Sequence, residues 1–337
     1  MTGMPRNWVA AMLIALSCIA CSDGGPAPQV DEEQASPADE ESATPSPEAT
    51  LEATLPPYVA AEISVGAGPG YLATGSGSIW TGNHVGQTIS RIDPRTNKVS
   101  ATIELNGEPT SMTTGFGRVW THIVLTGHQL IGIDPERNEV AVRVAYKGEG
   151  GAINGITMGA GSVWFAPSNG TVMRVDPVSG KVLATVAVGR KALGAVTFGA
   201  GALWYTDQTK YLSRIDPNTN EVQRFVVGRG ASNPVFGLGA VWVPNPSTGE
   251  IARFSPLTGK VTGKVQVGSS VDQLRVSGND LWVRLSSTEL IRMNVRTMKV
   301  MKRYELPPAP IPGGGLTLGF GAMWIANFAE NTVWRIE

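Results

Sequence analysis

Cysteine is nearly absent from this chain. Of 337 residues only Cys18 and Cys21 are cysteines, and both lie near the N-terminus. Everything after them can therefore hold neither an internal disulfide nor a cysteine-based metal site. Histidine is almost as scarce, with His84, His122 and His128 the only three. Charge is thin as well: Asp, Glu, Lys and Arg make up 16% of the residues and the formal net charge is −1. A net charge so small excludes a chain that binds polyanions along its whole length. Glycine and proline, in contrast, are plentiful at 41 and 23 residues. That composition points to many short strands and turns, and away from long helices or a coiled coil.

The low net charge conceals an asymmetry. Residues 22–57 contain nine acids and no Lys or Arg. Of the 27 bases, Arg6 alone precedes residue 58, so residues 58–337 carry 26 bases against 19 acids, a formal +7. The N-terminus reads as an export signal: Arg6, then an apolar run from Trp8 to Leu16. That run is far shorter than the about 20 residues a bilayer span needs, and suits a signal-peptide core. The following Ser17-Cys18-Ile19-Ala20-Cys21-Ser22-Asp23-Gly24-Gly25 resembles the bacterial lipobox, in which the cysteine is diacylated and becomes the mature N-terminus. Ala20 before Cys21, with a polar stretch behind it, makes Cys21 the favoured lipidation site. Ala15-Leu16-Ser17-Cys18 is the alternative register, and an ordinary secretory signal with two incidental cysteines is the remaining one. Residues 1–21 are thus expected to be a lipoprotein signal with its lipidation site. The implied location is the bacterial cell envelope, extracytoplasmic, with the membrane as a partner through the lipid.

Residues 22–57 hold seven prolines, the nine acids and almost no large apolar side chain. Such a segment cannot bury enough surface to offset the entropy of ordering, so a disordered tether is expected. Its length corresponds to about 35 Å as a flexible coil and up to about 110 Å if fully polyproline-like.

From residue 58 the chain repeats. Seven tryptophans fall at 80, 120, 164, 204, 242, 282 and 324, closing the phrases GSGSIW, GFGRVW, GAGSVW, GAGALW, GLGAVW, SGNDLW and GFGAMW. A second phrase follows each: RIDP, GIDP, RVDP, RIDP, RFSP, RMNV and finally RIE. A third, such as VSATIEL or VLATVAV, completes the unit. A period near 40 containing several short strands is the signature of a β-propeller blade. The residues eight and six places before each Trp form the inward face of a first strand with period two. The Gly-x-Gly phrase turns the chain, and the residue before Trp is always apolar, so the second strand is expected to be buried on both faces. DPRTN, DPERN, DPVSG, DPNTN and SPLTG are hairpin turns opened by Asp or Ser and closed by a left-handed Asn or Gly. The chain stops after the third strand of blade seven, and residues 59–66 match the fourth-strand phrase. The fold expected for residues 58–337 is therefore all-β: a seven-bladed β-propeller of four-stranded blades, closed by an N-terminal outer strand.

The order Gly-x-Gly-x-Val-Trp, Arg-Ile-Asp-Pro, then Lys-Val-x-Ala-Thr-Ile resembles the seven-bladed propellers of the streptogramin B (virginiamycin B) lyase-like and YVTN-repeat groups, over all of residues 58–337. In the lyases the resemblance implies a magnesium-assisted, ring-opening elimination by a His and Glu cluster in the later blades. Here Trp242-Val-Pro-Asn245, Trp282-Val-Arg284 and Trp324-Ile-Ala-Asn327 supply no His, and no Glu-x-His pair occurs. The lyase residues therefore carry over to no position of this chain.

Other candidates are weighed on their own chemistry. His84 lies after strand two of blade one, and His122 and His128 flank the equivalent loop of blade two. No carboxylate accompanies them within those loops, so solvated loop histidines are the favoured reading. A three-His site for an unknown divalent metal is the alternative. Asp93, Asp134, Asp176 and Asp216 read as turn residues, and the glycine-rich stretches at 66–70 and 148–151 as inter-blade turns rather than phosphate loops. More informative are polar breaks in the repeat. Seven places before Trp the series runs Ala, Thr, Thr, Thr, Val, Arg, Thr, with Arg275 the exception. Ten places before, Asn154 and Asp272 replace small residues; after Trp, Asp207 and Arg284 stand where other blades carry Pro, Asn or small residues. These five are the candidate ligand-binding residues of a polar channel mouth. The expected function is a non-enzymatic binding or scaffold module with no cofactor, the alternative being a divergent lyase-like or metal-dependent enzyme. Its partner is expected to be a protein, glycan or small ligand on the propeller face. Nucleic acid is not expected, because the bases are not clustered with aromatics, and a monomer is.

Overall fold

The computed structural model describes residues 55–124, 127–148, 155–189, 194–268, 271–285, 288–306 and 315–337, apart from the side chain of Asp272. The signal, Cys18, Cys21, most of the tether and Asn154 lie outside the described residues. The described chain forms strands β1 to β28 in seven four-stranded antiparallel sheets, each a blade. Blade one shows the plan: β2 (Pro69–Gly75), β3 (Ser78–Asn83), β4 (Thr88–Asp93) and β5 (Lys98–Glu104) pair in chain order.

The core lies between blades, because the second strand of each blade is apolar on both faces. β3 is buried at every position, and so is β27 (Ala322–Asn327). Seven hydrophobic clusters result, each joining residues of two adjacent blades; Trp80, Ile89 and Ile103 of blade one, for example, pack with Val119, Ile123 and Ile131 of blade two. Six of the seven repeat tryptophans are essentially inaccessible, with Trp282 only partly buried. An indole of that size contributes roughly 4–6 kcal/mol of apolar burial. Its ring N–H is satisfied locally: in blades one to five and in blade seven Nε1 donates to the carbonyl five residues back, from Trp80 to Gly75 O at 3.0 Å through Trp324 to Gly319 O at 3.0 Å.

The Arg-Ile-Asp-Pro phrase does two jobs. Its Asp opens the hairpin turn, accepting backbone N–H bonds from residues two and three further on, as Asp134 does from Glu136 and Arg137. Those bonds hold the carboxyls of Asp93, Asp134, Asp176 and Asp216 below the usual carboxylate range. Asn97, Asn138, Gly180, Asn220 and Gly259 take the left-handed position, and Met298 takes it in blade six. The Arg lies over the Trp of its own blade, 5.0 Å from the ring centroid for Arg91 on Trp80. In blades one, three and seven it also reaches the next blade, as where Arg91 Nη1 donates to Pro135 O at 2.6 Å and to Asn138 Oδ1 at 3.1 Å.

Closure follows the strand count. β1 (Val59–Ser64) pairs antiparallel with β28 (Thr332–Ile336) and supplies the missing outer strand of blade seven. Glu62 Oε1 accepts from Trp334 Nε1 at 2.8 Å and from Thr332 Oγ1 at 3.0 Å. Arg335 Nη1 donates to Pro94 O at 2.8 Å, joining blade seven to blade one.

Candidate functional site: the central channel

The first strands of the blades stand around the axis: β2, β6 (Glu108–Gly115), β10 (Ile156–Gly159), β14 (Ala195–Gly199), β18 (Val235–Gly237), β22 (Val271–Ser277) and β26 (Leu316–Gly319). Successive residues of a strand point to opposite sides. The residues eight places before Trp, such as Leu72 and Leu316, pack in the inter-blade clusters. Their neighbours seven places before Trp face the axis: Ala73, Thr113, Thr157, Thr197, Val235, Arg275 and Thr317. They enclose a channel of about 410 Å³, to which Tyr71, Ser111, Asn233 and Gln273 also contribute. Among the described residues lining it, Arg275 carries the only charged side chain.

The polar wall atoms are part of the framework. Thr157 Oγ1 accepts from Phe198 N at 3.2 Å, and Thr197 Oγ1 accepts from Phe236 N at 3.2 Å, in each case from the next blade. Ser111 Oγ accepts from Gly155 N at 3.1 Å, and Gln273 Oε1 accepts from Leu316 N at 3.0 Å. Between blades seven and one the hydroxyls of Thr317 and Thr74 lie 3.1 Å apart. This gives the hydroxyls seven places before Trp in blades three and four a structural role: Thr157 and Thr197 each satisfy an inner-strand N–H of the next blade.

The five candidate residues do not all meet there. Arg275 lines the channel, with Nη1 donating to Leu274 O at 2.8 Å. Asp272 lies on β22, but its side chain, like all of Asn154, falls outside the described residues. Asp207 sits just past β15 (Ala202–Thr206), where Oδ1 caps a turn by accepting from Thr209 Oγ1 at 2.5 Å and Thr209 N at 3.3 Å. It is not part of the channel wall. Arg284 lies within β23 (Asp280–Leu285), which continues past it, and is buried, opposite Gln273 in the register.

The histidines need a larger correction. His122 is not a solvated loop residue: it lies within β7 (Arg118–Val124) and has no accessible surface. Its Nδ1 is 3.1 Å from the Tyr146 hydroxyl, and its ring packs against Phe165 at 4.6 Å between centroids. Burial, with repulsion from His128 as a lesser cause, depresses its pKa to about 3, so it is neutral. His128 opens β8 (His128–Asp134) and stacks near Tyr146, whose hydroxyl pKa is raised by burial. His84 does have a carboxylate: Glu108 Oε2 lies 3.1 Å from its Nε2. That partner was missed because it comes from the next blade. Among the described residues no three His, Cys, Asp or Glu side chains gather to hold a metal ion.

The class that this architecture defines is the seven-bladed β-propeller. Compared with known proteins, the chain matches no family model, and a search of the curated proteins finds no relative.

Proposed function

We propose that the chain is a non-enzymatic binding module of the bacterial cell envelope, anchored by lipid on Cys21, or on Cys18 in the alternative register. The acidic tether would hold the propeller away from the membrane, and the ligand would enter the central channel. The observation that carries the binding role is the contrast between the seven apolar inter-blade clusters and a polar, walled cavity of about 410 Å³ on the axis. Pockets of this size, with a few placed polar groups, suit small molecules. The likeness of the repeat phrases to the streptogramin B lyase-like group supports a related propeller ancestry, without that group's catalytic residues. Two measurements test the reading. Replacing both Cys18 and Cys21 by Ala should release or mislocalise the protein; unchanged membrane fractionation would remove the anchor from the proposal. A thermal-shift panel of small acids, sugars and short peptides should give saturable stabilisation by at least one class, and a flat response to all would remove the binding role.

A further inference from the structure

We propose that the turn face of blades five and six is a docking surface for an acidic segment of a partner protein, one that carries leucine-sized apolar side chains. In an antiparallel blade the turn joining strands one and two and that joining strands three and four lie at the same end. The inner hairpin tips and the outer turns therefore share one face of the ring. In blades one to four the outer turn opens on Asp93, Asp134, Asp176 and Asp216, whereas in blades five and six it opens on Ser255 and Asn294. The turn bonds survive the change. Ser255 Oγ accepts from Thr258 N at 3.3 Å, and Asn294 Oδ1 accepts from Arg296 N and Thr297 N, both at 3.0 Å. What disappears is the negative charge. Arg253, Lys260, Arg296 and Lys299 have no acid within ion-pair distance among the described residues, and the last three are exposed. Asp280, the acid at this end of blade six, is taken by Arg292 at 2.6 Å. The turn of blade two, in contrast, holds Asp134, Glu136 and Glu139 against Arg137, so the excess of bases belongs to this sector and not to the whole face. The two basic turns lie close together: a Cβ on Gly263 of β21 (Lys260–Gln266) would lie 2.6 Å from Met298 Sδ of the blade-six turn.

Apolar side chains stand among these bases. Leu257, in the outer turn of blade five, is 94% exposed, and Leu238, on the inner hairpin of the same blade, is 47% exposed. Leu238 holds a φ of 52°, a conformation that Asn or Gly adopts at less cost than a bulky residue. The two tips are separated by two strand spacings, about 10 Å, so one short segment can cover both. A partner that buries the leucines and answers the bases has to be apolar and acidic together. Leucine burial supplies affinity, and the opposed charges steer the encounter and fix its orientation. A glycan satisfies neither demand, and nucleic acid would need stacking side chains that leucines do not provide.

The test titrates the purified full-length chain into a fluorescent peptide of alternating Glu and Leu, and into two controls in which Gln replaces Glu or Ser replaces Leu. Saturable binding of the Glu–Leu peptide is expected, weakened roughly tenfold or more in either control and by raised salt. The triple variant Lys260→Glu, Arg296→Glu, Lys299→Glu should lose the binding, and Leu257→Ser should weaken it roughly tenfold. Lys98→Glu with Lys181→Glu, on the same face but in blades one and three, should bind like the parent. All these side chains are exposed, and an unchanged melting temperature confirms that each variant keeps the ring. No binding of the Glu–Leu peptide, or binding indifferent to the triple variant, overturns the proposal. Vesicles of phosphatidylglycerol and of phosphatidylcholine form a further arm. A preference for the anionic vesicles that the triple variant abolishes, with no peptide binding, overturns it in favour of a membrane-facing patch. Each of these outcomes leaves the channel reading untouched, because none of the substituted residues lines that cavity.

Discussion

His122 occupies the position two after Trp that holds Gly82 in blade one, Ala166 in blade three and Ala326 in blade seven. Those blades show that an imidazole is not needed there for folding. Its cost depends on pH. With a folded-state pKa of about 3 against an ordinary 6.5, the unfolded chain takes up a proton below pH 6.5 that the folded chain refuses. Stability should therefore be unaffected by this residue above pH 7, and fall from pH 6.5 towards 3 by up to about 1.4 kcal/mol per unit. His122→Ala should lower stability at pH 8, through the cavity left beside Phe165, yet flatten the acid limb. Urea midpoints between pH 8 and pH 4 check this, and parallel pH profiles for the two proteins would refute a neutral buried imidazole. A second residue-scale strain lies in the inner hairpins, where Ala160 and Ala200 are exposed with φ of 48° and 49°. Asn tolerates that left-handed region better than Ala. Ala160→Asn and Ala200→Asn should each raise stability by about 0.5–1 kcal/mol, read as a higher denaturation midpoint.

Between residue and ring, the unit that matters is one blade's Arg and the next blade's turn. Arg91, Arg174 and Arg335 donate to Pro135, Pro217 and Pro94 carbonyls at 2.6, 2.7 and 2.8 Å. Blade two has Gly132 in place of that Arg, opposite Trp120 in the register. Arg118, two residues before Trp120, supplies the bond instead, with Nη1 2.9 Å from Pro177 O. A Cβ on Gly132 would lie 3.0 Å from both Arg118 Cδ and the Trp120 ring, so the two arginines compete for one space. The effect of Gly132→Arg should then change sign with background. It should destabilise the native protein, and partly restore the about 1–2 kcal/mol lost in Arg118→Ala. A double-mutant cycle of unfolding free energies measures this, and additive effects would exclude the substitution of one arginine by the other. This element also marks the limit of what the sequence discloses. The blade count, strand order, turn residues and closing strand all leave periodic traces in side-chain type. The Arg bridge ends on a backbone carbonyl about 40 residues away, which leaves none. For the same reason Arg275 stood out as a break in a threonine series, whereas the His84–Glu108 pair, formed across blades, and the burial of Arg284 did not.

At the scale of the whole ring the bridges are unevenly spread. They run from blade seven to one, one to two, two to three and three to four. Beyond that Arg214 pairs with Asp216 of its own blade at 3.7 Å, Arg292 pairs with Asp280 of its own blade at 2.6 Å, and Arg253 Nε is buried without a partner. Blade five also has the short inner strand β18, three residues long. Arg303 Nη2 does tie blade six to blade five, at Val267 O (3.2 Å), but from the outer strand. Local opening favours regions with fewer tying contacts, so amide exchange should be faster in the inner strands of blades five and six than in those of blades one to three. Uniform protection would show that the apolar clusters alone set local stability. The arc tied by bridges passes through the closure, where β1 serves two interfaces at once: Val59 packs in the cluster between blades six and seven, Ile63 in that between seven and one. Removing residues 59–64 would therefore loosen both clusters and leave β28 as an exposed edge open to pairing with other chains. The shortened protein should lose its single cooperative thermal transition and associate on size-exclusion chromatography. A synthetic peptide of residues 58–66 added in trans should dock on β28 and restore both properties in a saturable way. If the shortened chain instead melts cooperatively at the parent temperature, closure by β1 does not hold the ring together, and the five clusters it does not touch suffice.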